Sequence, residues 1–298
     1  MASHNDFHAT PTAHGLSRRS FLRLGALGTL SVAGSALLAG CGGGGSAATT
    51  TSAASTAAAT SAVAAASYTL VTPGKLTCVS DMAFPPMDYL EGETPTGYEV
   101  ELMAAIAQQM GLEVAWLPPT KFDTIIPLIK QGGKADVGAS SFTNTDERKA
   151  EIDFTQPYLD SNQGIATLKS AGVTSEADLN AEGKKIAVQS GTTGEMWAQE
   201  NLTKATIVPL DDPVQAMAGM FTGLYDAVAA DLPVMSYLCT KSYTDCEVSL
   251  QIPTGEQYGL VVSKDNPALT AALDEAYAAV KAAGTVKTLQ EKWFGAEL

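Results

Sequence analysis

The stretch "KKIAVQSGTTGEMWAQENL" (184–202) holds an apolar run, a polar glycine-bearing turn and a helix-forming segment in direct succession. Ile186, Ala187 and Val188 read as a strand. Gly191 then allows a sharp turn. Thr192-x-x-Glu195 forms a capping box, in which the threonine oxygen and the glutamate satisfy free N–H groups at a helix start. The unit recurs downstream as strand "ATIVPL" with helix "DPVQAMAGMFTG", strand "YDAVAAD" with helix "LPVMSYL", and strand "YGLVVSK" with helix "NPALTAALDEAYAAVKAAG". Asp212–Pro213 and Asn266–Pro267 place a cap before a proline at the first helical position. A short helix ending at "KWFG" closes the chain.

Upstream the alternation is the same. Strand "KLTCVS" precedes helix "GYEVELMAAIAQQMG" (97–111), in which Tyr98, Leu102, Ile106 and Met110 recur every four residues. Strand "LEVAWLP" leads to helix "FDTIIPLIKQGG", where Pro127 breaks a local rule. Strand "ADVGASS" leads to the short helix "NTDERKAEI", opened by an expected Asn144-x-x-Glu147 capping box. Repeated strand–helix units predict an α/β fold of parallel sheets covered by helices, with ligands held where strands end and βα turns gather.

The N-terminus stands apart. "SRRSFLR" (17–23) is followed by an acid-free apolar run from Leu24 to Gly40, and then "LLAGC". This is the pattern of a twin-arginine signal peptide over 1–40 ending at a lipoprotein processing site, with Cys41 as the lipid-bearing residue; a plain anchor helix is the alternative. The segment "GGGGSAATTTSAASTAAATSAVAAAS" (42–67) carries no charge and little that packs, so 41–67 reads as a flexible tether spanning about 30 Å. The expectation is an exported protein held by lipid at the outer face of the cytoplasmic membrane, with 68–298 as the folded part.

Loss of 1–40 removes three of the 18 basic and one of the 32 acidic residues, leaving 15 and 31 and a formal charge of −16. That balance argues against nucleic acid or an anionic lipid surface as a partner. His4, His8 and His14 are the only histidines. The processed chain would have none, which argues against histidine-based catalysis and histidine metal sites, and no cofactor is expected. Cys239 and Cys246 flank "TKSYTD", a hairpin-like stretch, and export makes a disulfide between them the expectation; Cys78, inside an apolar strand, reads as a buried thiol.

Four turns follow predicted strands: "SDMAFPP", "GASSFT", "QSGTTG" and "AADLP". In the third, Gly191, Thr192 and Thr193 offer backbone N–H groups to an anion, or simply cap a helix. Arg148 follows the second. Arg18, Arg19 and Arg23 lie in the leader, so Arg148 is the one arginine of the processed chain. Its guanidinium can grip a carboxylate with two parallel hydrogen bonds, as a lysine cannot; a surface pair with Glu147 or Glu151 is the plainer reading. Asp231 can accept from an ammonium group or cap the next helix. Phe84 and Phe122, in βα turns, fit a ligand-stacking role or a place in the core.

At these residues the chain resembles the extracellular solute-binding proteins of family 3, the amino-acid-binding proteins of ABC importers. The resemblance runs over roughly 75–295 and rests on "FPPMDY", "GYEVELMAAIA", "KFDTIIPLIKQGGKADV", "TDERKAEIDFTQPY", "VQSGTTGE", "DAVAAD", "YGLVVSKD" and "EKWFG" in order. It implies a two-lobed periplasmic-binding-protein-like fold of type II, with a mixed or parallel sheet in each lobe and two crossing hinge strands. Lobe 1 would be 68–162 with 255–298 and lobe 2 would be 163–254, with hinges near "DSNQG" and "TGEQYG". By the same resemblance Ser141, Thr143, Arg148 and the Thr193 N–H hold an α-carboxylate. Ser140 or Ser141, Thr143 and Asp231 meet an α-ammonium, Phe84 and Phe122 are apolar walls, and Asp81 reads the side chain. Met87 departs from the usual aromatic.

The implied activity is capture of a free amino acid, polar or basic in side chain, by a monomer that delivers it to an ABC permease. Two alternatives stay open. One is a cyclohexadienyl or arogenate dehydratase-like enzyme on the same fold, with Asp81 or Glu99 as the pocket acid. The other is a sensor whose closed form a receptor reads.

Overall fold

The computed structural model describes residues 67–298. The expectations placed on the signal peptide, Cys41 and the tether as far as residue 66 lie outside the described residues.

The first element of the described residues is β1 (Lys75–Val79), followed by a small antiparallel meander of β2 (Ala83–Phe84), β3 (Asp88–Glu91) and β4 (Thr94–Thr96). Then come α1 (Tyr98–Gln109), β5 (Glu113–Trp116), α2 (Phe122–Gln131), β6 (Val137–Gly138), α3 (Asp146–Glu151) and β7 (Asp153–Phe154). β8 (Leu159–Leu168) leads into β9 (Lys185–Gln189), α4 (Thr193–Asn201), β10 (Thr206–Leu210), α5 (Pro213–Phe221), β11 (Ala227–Asp231) and α6 (Leu232–Lys241). β12 (Cys246–Tyr258) returns to β13 (Val261–Val262), and α7 (Pro267–Ala282) and α8 (Thr285–Phe294) complete the order.

Two five-stranded sheets result, in the orders β5-β1-β6-β13-β7 and β10-β9-β11-β8-β12. Each is mixed. β1 pairs in parallel with β5 and β6, and β9 with β10 and β11, while β13, β8 and β12 add antiparallel partners. The sheets belong to two lobes. β8 carries the chain from the first sheet to the second and β12 carries it back, paired with each other from Cys246↔Leu168 to Tyr258↔Leu159. The register between them slips between Ile252 and Glu256, so the crossing region is irregular.

Local signals place the elements that matter for the site. α1 starts at Gly97, whose φ of 133° and lack of a Cβ are both required, because a Cβ would lie 2.1 Å from the Met87 carbonyl oxygen. The carbonyls of Pro86 and Met87 accept from Tyr98 N and Glu99 N at 2.9 Å, so the "FPPM" turn caps α1 and fixes Glu99. α2 runs through Pro127 unbroken. α4 is capped by Thr192, which accepts from Glu195 N, but Glu195 returns to Gly191 N rather than to the capping residue. α3 is capped one residue later than expected: Thr145, not Asn144, accepts from Arg148 N at 3.2 Å.

The expected disulfide is corrected. Cys239 lies in α6 and Cys246 opens β12, so the intervening segment joins a helix to a strand and is not a hairpin. Both are free thiols packed in the same core cluster. Burial first, and the neighbouring Cys246 second, push the Cys239 thiol up to about 12. Cys78 is likewise a buried free thiol.

Candidate functional site

The turns at the ends of β1, β6, β9 and β11 meet in a cleft between the two sheets. Nine of the ten expected ligand-binding residues line it: Phe84, Phe122, Ser140, Ser141, Thr143 and Arg148 from the first lobe, and Thr192, Thr193 and Asp231 from the second. The tenth, Asp81, is set behind this surface. It accepts from Ser140 Oγ at 3.1 Å and from Ala83 N at 3.2 Å, and its other oxygen accepts from Gln189 Nε2 at 2.7 Å. Burial raises its pKa, and those donors work against the rise.

Arg148 is 8% exposed, and neither Glu147 nor Glu151 pairs with it; Glu151 is taken by Lys130 at 2.7 Å. Its Nη1 donates to the Thr143 carbonyl and its Nη2 to the Gly191 carbonyl across the cleft, both at 2.9 Å. The guanidinium carbon lies 5.4 Å from the Phe122 ring centroid and 5.6 Å from that of Phe142, two rings stacked on each other. Burial lowers its pKa, while Asp231, Glu256 and Glu147 oppose that shift. A buried guanidinium with two donors committed to carbonyls keeps others for a ligand.

Asp231, at the end of β11, makes no side-chain cap to α6, which removes the plainer reading of it. Its carboxylate accepts from Gln163 Nε2 at 2.7 Å and from the Tyr258 hydroxyl. Burial, and then the nearby Glu256, raise its pKa to about 7. Thr192 acts as a helix cap and donates to the Gln189 carbonyl at 2.7 Å. Ser141 sits at φ 52°, in the left-handed region that a non-glycine residue rarely occupies.

Three residues escaped the reading of the sequence. Glu256, on the irregular part of β12, accepts from Thr143 Oγ1 and Thr193 Oγ1 at 2.9 Å and from Gln163 Nε2 at 3.1 Å, tying both lobes to the crossing strand. Gln163 on β8 links Glu256 to Asp231. Gln189 lines the cleft, and its Oε1 is buried with no hydrogen-bond partner among the described residues. Gln189 had a signal, since it ends a strand in a turn already marked as functional. Glu256 and Gln163 lie in the two stretches that the resemblance marks as hinges, but nothing singles them out as site residues, because their meeting depends on the slipped register. Among the described residues no group of His, Cys, Asp or Glu is arranged to hold a metal.

A profile of the bacterial extracellular solute-binding proteins, family 3, matches residues 76–296. The chain belongs to that family. Similar members include the L-cystine-binding protein TcyJ of Escherichia coli (strain K12), 30% identical over 227 residues that cover 76% of this chain and 84% of the relative. Among solved structures, the ancestral amino-acid-binding protein AncCDT-1, a precursor of cyclohexadienyl dehydratase, is 33% identical with a TM-score of 0.70, covering 74% of this chain and 96% of that one. An ancestral arginine-binding protein bound to arginine is 31% identical with a TM-score of 0.69, over 74% and 98% of the two chains. The two-lobed fold of the family-3 proteins is the fold found here.

Proposed function

We infer that this family-3 protein is the extracytoplasmic binding component of an amino-acid importer, closing its lobes on a zwitterion with a polar or basic side chain. The observation that carries the reading is Arg148: a lone buried guanidinium at an interlobe cleft, faced by Asp231 and Glu256. In this reading its free donors, with Ser141, Thr143 and the Thr193 N–H, take the α-carboxylate. Asp231, the serine carbonyls and the Thr143 hydroxyl take the α-ammonium. Phe84 and Phe122 cover the aliphatic part. Charge-assisted hydrogen bonds contribute about 1.5–3 kcal/mol each, so a few of them support micromolar binding, about −8 kcal/mol.

The side-chain preference rests on charge. The cleft surroundings supply one guanidinium against the carboxyls of Asp81, Asp231 and Glu256, and Gln189 adds an unpartnered acceptor. A donor-rich side chain, such as that of arginine, lysine or glutamine, satisfies this set, whereas a second carboxylate adds repulsion. Similarity to arginine-binding and cystine-binding proteins supports the amino-acid class. Of the two acids named for a dehydratase, Glu99 is fully buried and engaged by Ser141 and Tyr158, and Asp81 is buried and engaged by Ser140, Ala83 and Gln189, which weighs against catalysis at either. Lipidation at Cys41 after twin-arginine export, the tether and a membrane permease complete the proposal.

Calorimetry of the purified protein with a panel of single amino acids tests it. Micromolar or tighter binding of arginine, lysine or glutamine is expected. Tight glutamate binding without response to those three overturns the preference, and no response to any amino acid overturns the function.

A further inference from the structure

Behind the serine turn lies a set of groups that no ligand touches in the reading above. Glu99, second residue of α1, is fully buried. Its Oε2 accepts from Ser141 N at 2.8 Å and Ser141 Oγ at 3.2 Å, and its Oε1 accepts from the Tyr158 hydroxyl at 2.7 Å. Asp88, on β3, is also fully buried and is set beside Glu99: it takes the Ser140 hydroxyl where Glu99 takes the N–H of Ser141, the next residue of the turn. Its Oδ1 accepts from Ser80 Oγ at 2.5 Å and Ser140 Oγ at 3.3 Å, but its Oδ2 has no partner among the described residues.

Among the described residues no cation pairs with either carboxyl. The titratable groups that face the two carboxyls are Asp81, Cys78, Tyr98 and Tyr158, all of them acids. None of these residues takes part in an ion pair among the described residues. Two ionised carboxylates side by side in a buried site, with no counter-charge among the described residues, repel each other and lose hydration, so the pair retains a proton. A proton on Asp88 Oδ2 accounts for the orphaned oxygen. It turns an unsatisfied acceptor into a donor available to Glu99 and leaves Oδ1 free for the two serines. Glu99 then receives four donors, and its carboxylate is fully satisfied.

We propose that Asp88 and Glu99 share one proton, with Asp88 the donor and Glu99 the acceptor, and that this pair positions the serine turn of the cleft. Ser141 is the residue held. Its left-handed backbone is disfavoured for any side chain with a Cβ, and both its N–H and its hydroxyl end on the same Glu99 oxygen. Ser140, beside it, is held by Asp88 and Asp81 together. The other Glu99 oxygen reaches Tyr158, immediately before β8, so one carboxylate ties the turn to the crossing strand. Asp88 and Glu99 are positioning residues, one layer behind the groups assigned to the ligand.

The proposal rests on the cleft being the amino-acid site, and the test separates the two. Infrared spectra of the whole protein at pH 8, unlabelled and with 13C-labelled aspartate, are expected to show a buried protonated carboxyl band that shifts with the label and disappears in Asp88→Asn. Absence of such a band in the wild-type protein overturns the shared proton whether or not any amino acid binds. For positioning, Asp88→Asn keeps a neutral donor and is expected to bind amino acid within about threefold of wild type. Asp88→Ala removes the donor and Glu99→Gln removes the four-donor acceptor, and both are expected to weaken binding tenfold or more while thermal melts remain cooperative. Equal loss in Asp88→Asn and Asp88→Ala overturns positioning through the shared proton.

Discussion

The two walls of the cleft are built differently. The first lobe brings side chains with special electrostatics: Arg148 against two aromatic rings, Ser140 and Ser141 in a constrained turn, and a layer of buried carboxyls behind them. Three of its strands are short, with β6, β7 and β13 two residues each. The second lobe has longer strands and brings mostly strand-end and backbone groups, namely the Gly191 carbonyl, the Thr193 N–H, Gln189 and Asp231. In the proposed function one side is assembled in advance by buried charge, and the other completes it on closure. Preorganised charge in a desolvated wall spares the ligand the work of orienting it.

The largest expected effect falls on the first wall. Arg148→Lys keeps the charge but loses the fork and its bond across the cleft, and calorimetry is expected to show affinity down by about 3 kcal/mol, roughly a hundredfold. Unchanged affinity would put the carboxylate site elsewhere and end the distinction between the walls.

On the second wall, Asp231→Asn is expected to cost about 2 kcal/mol in affinity. The pH dependence sharpens this. Only the ionised carboxylate pairs with an ammonium group, so wild-type affinity falls as pH drops below about 7, up to tenfold per unit, and the variant is flat. Stability runs the other way. A carboxyl raised from 3.8 to about 7 by folding favours the fold fully at acid pH and loses that advantage as pH rises through 7. The ligand-free protein is therefore expected to be about 2 kcal/mol more stable at pH 5.5 than at pH 8 through this group, a difference absent in Asp231→Asn, as thermal melts would show.

Gly191→Ala probes the contact between the walls. Gly191 has φ 77°, and a Cβ there would lie 3.0 Å from Asp123 Cβ of the first lobe. A loss of about 1–2 kcal/mol in affinity is expected, largely in the dissociation rate. The smallest effect belongs to Lys121→Ala. Its pair with Asp211 at 2.6 Å also crosses between the lobes but lies in solvent, so affinity at physiological salt is expected to stay within error of wild type.

Much of the first wall was legible because its residues carry chemistry that ordinary packing does not demand, a lone arginine and paired serines after a strand. The alternation of strands and helices was legible from caps, prolines and glycines. The β2–β4 meander was not, because "FPPMDYLEGETPTG" reads as turn. β8 and β12 entered only through the family resemblance, since neither carries a clean period of two. The slipped register that brings Glu256 to Thr143, Thr193 and Gln163 is a property of paired strands and leaves no mark in either one. Glu99 was named in the sequence only as a pocket acid of the dehydratase alternative, and its place in the first turn of a helix gave no sign of a structural role. Only the packing of Asp88 against it gave it another meaning.

Tyr158 stands at the entrance of one crossing strand and Tyr258 at the exit of the other, with ring centroids 6.1 Å apart. The first hydroxyl ends on Glu99 of one lobe, and the second on Asp231 of the other. The pivot is thus moored on each side to a carboxyl, one behind the ligand wall and one within it. Tyr158 and Glu99 lie in the same lobe, whereas Tyr258, at the end of the returning strand, reaches into the second, so one phenol braces the pivot within a half of the molecule and the other rivets the two halves together.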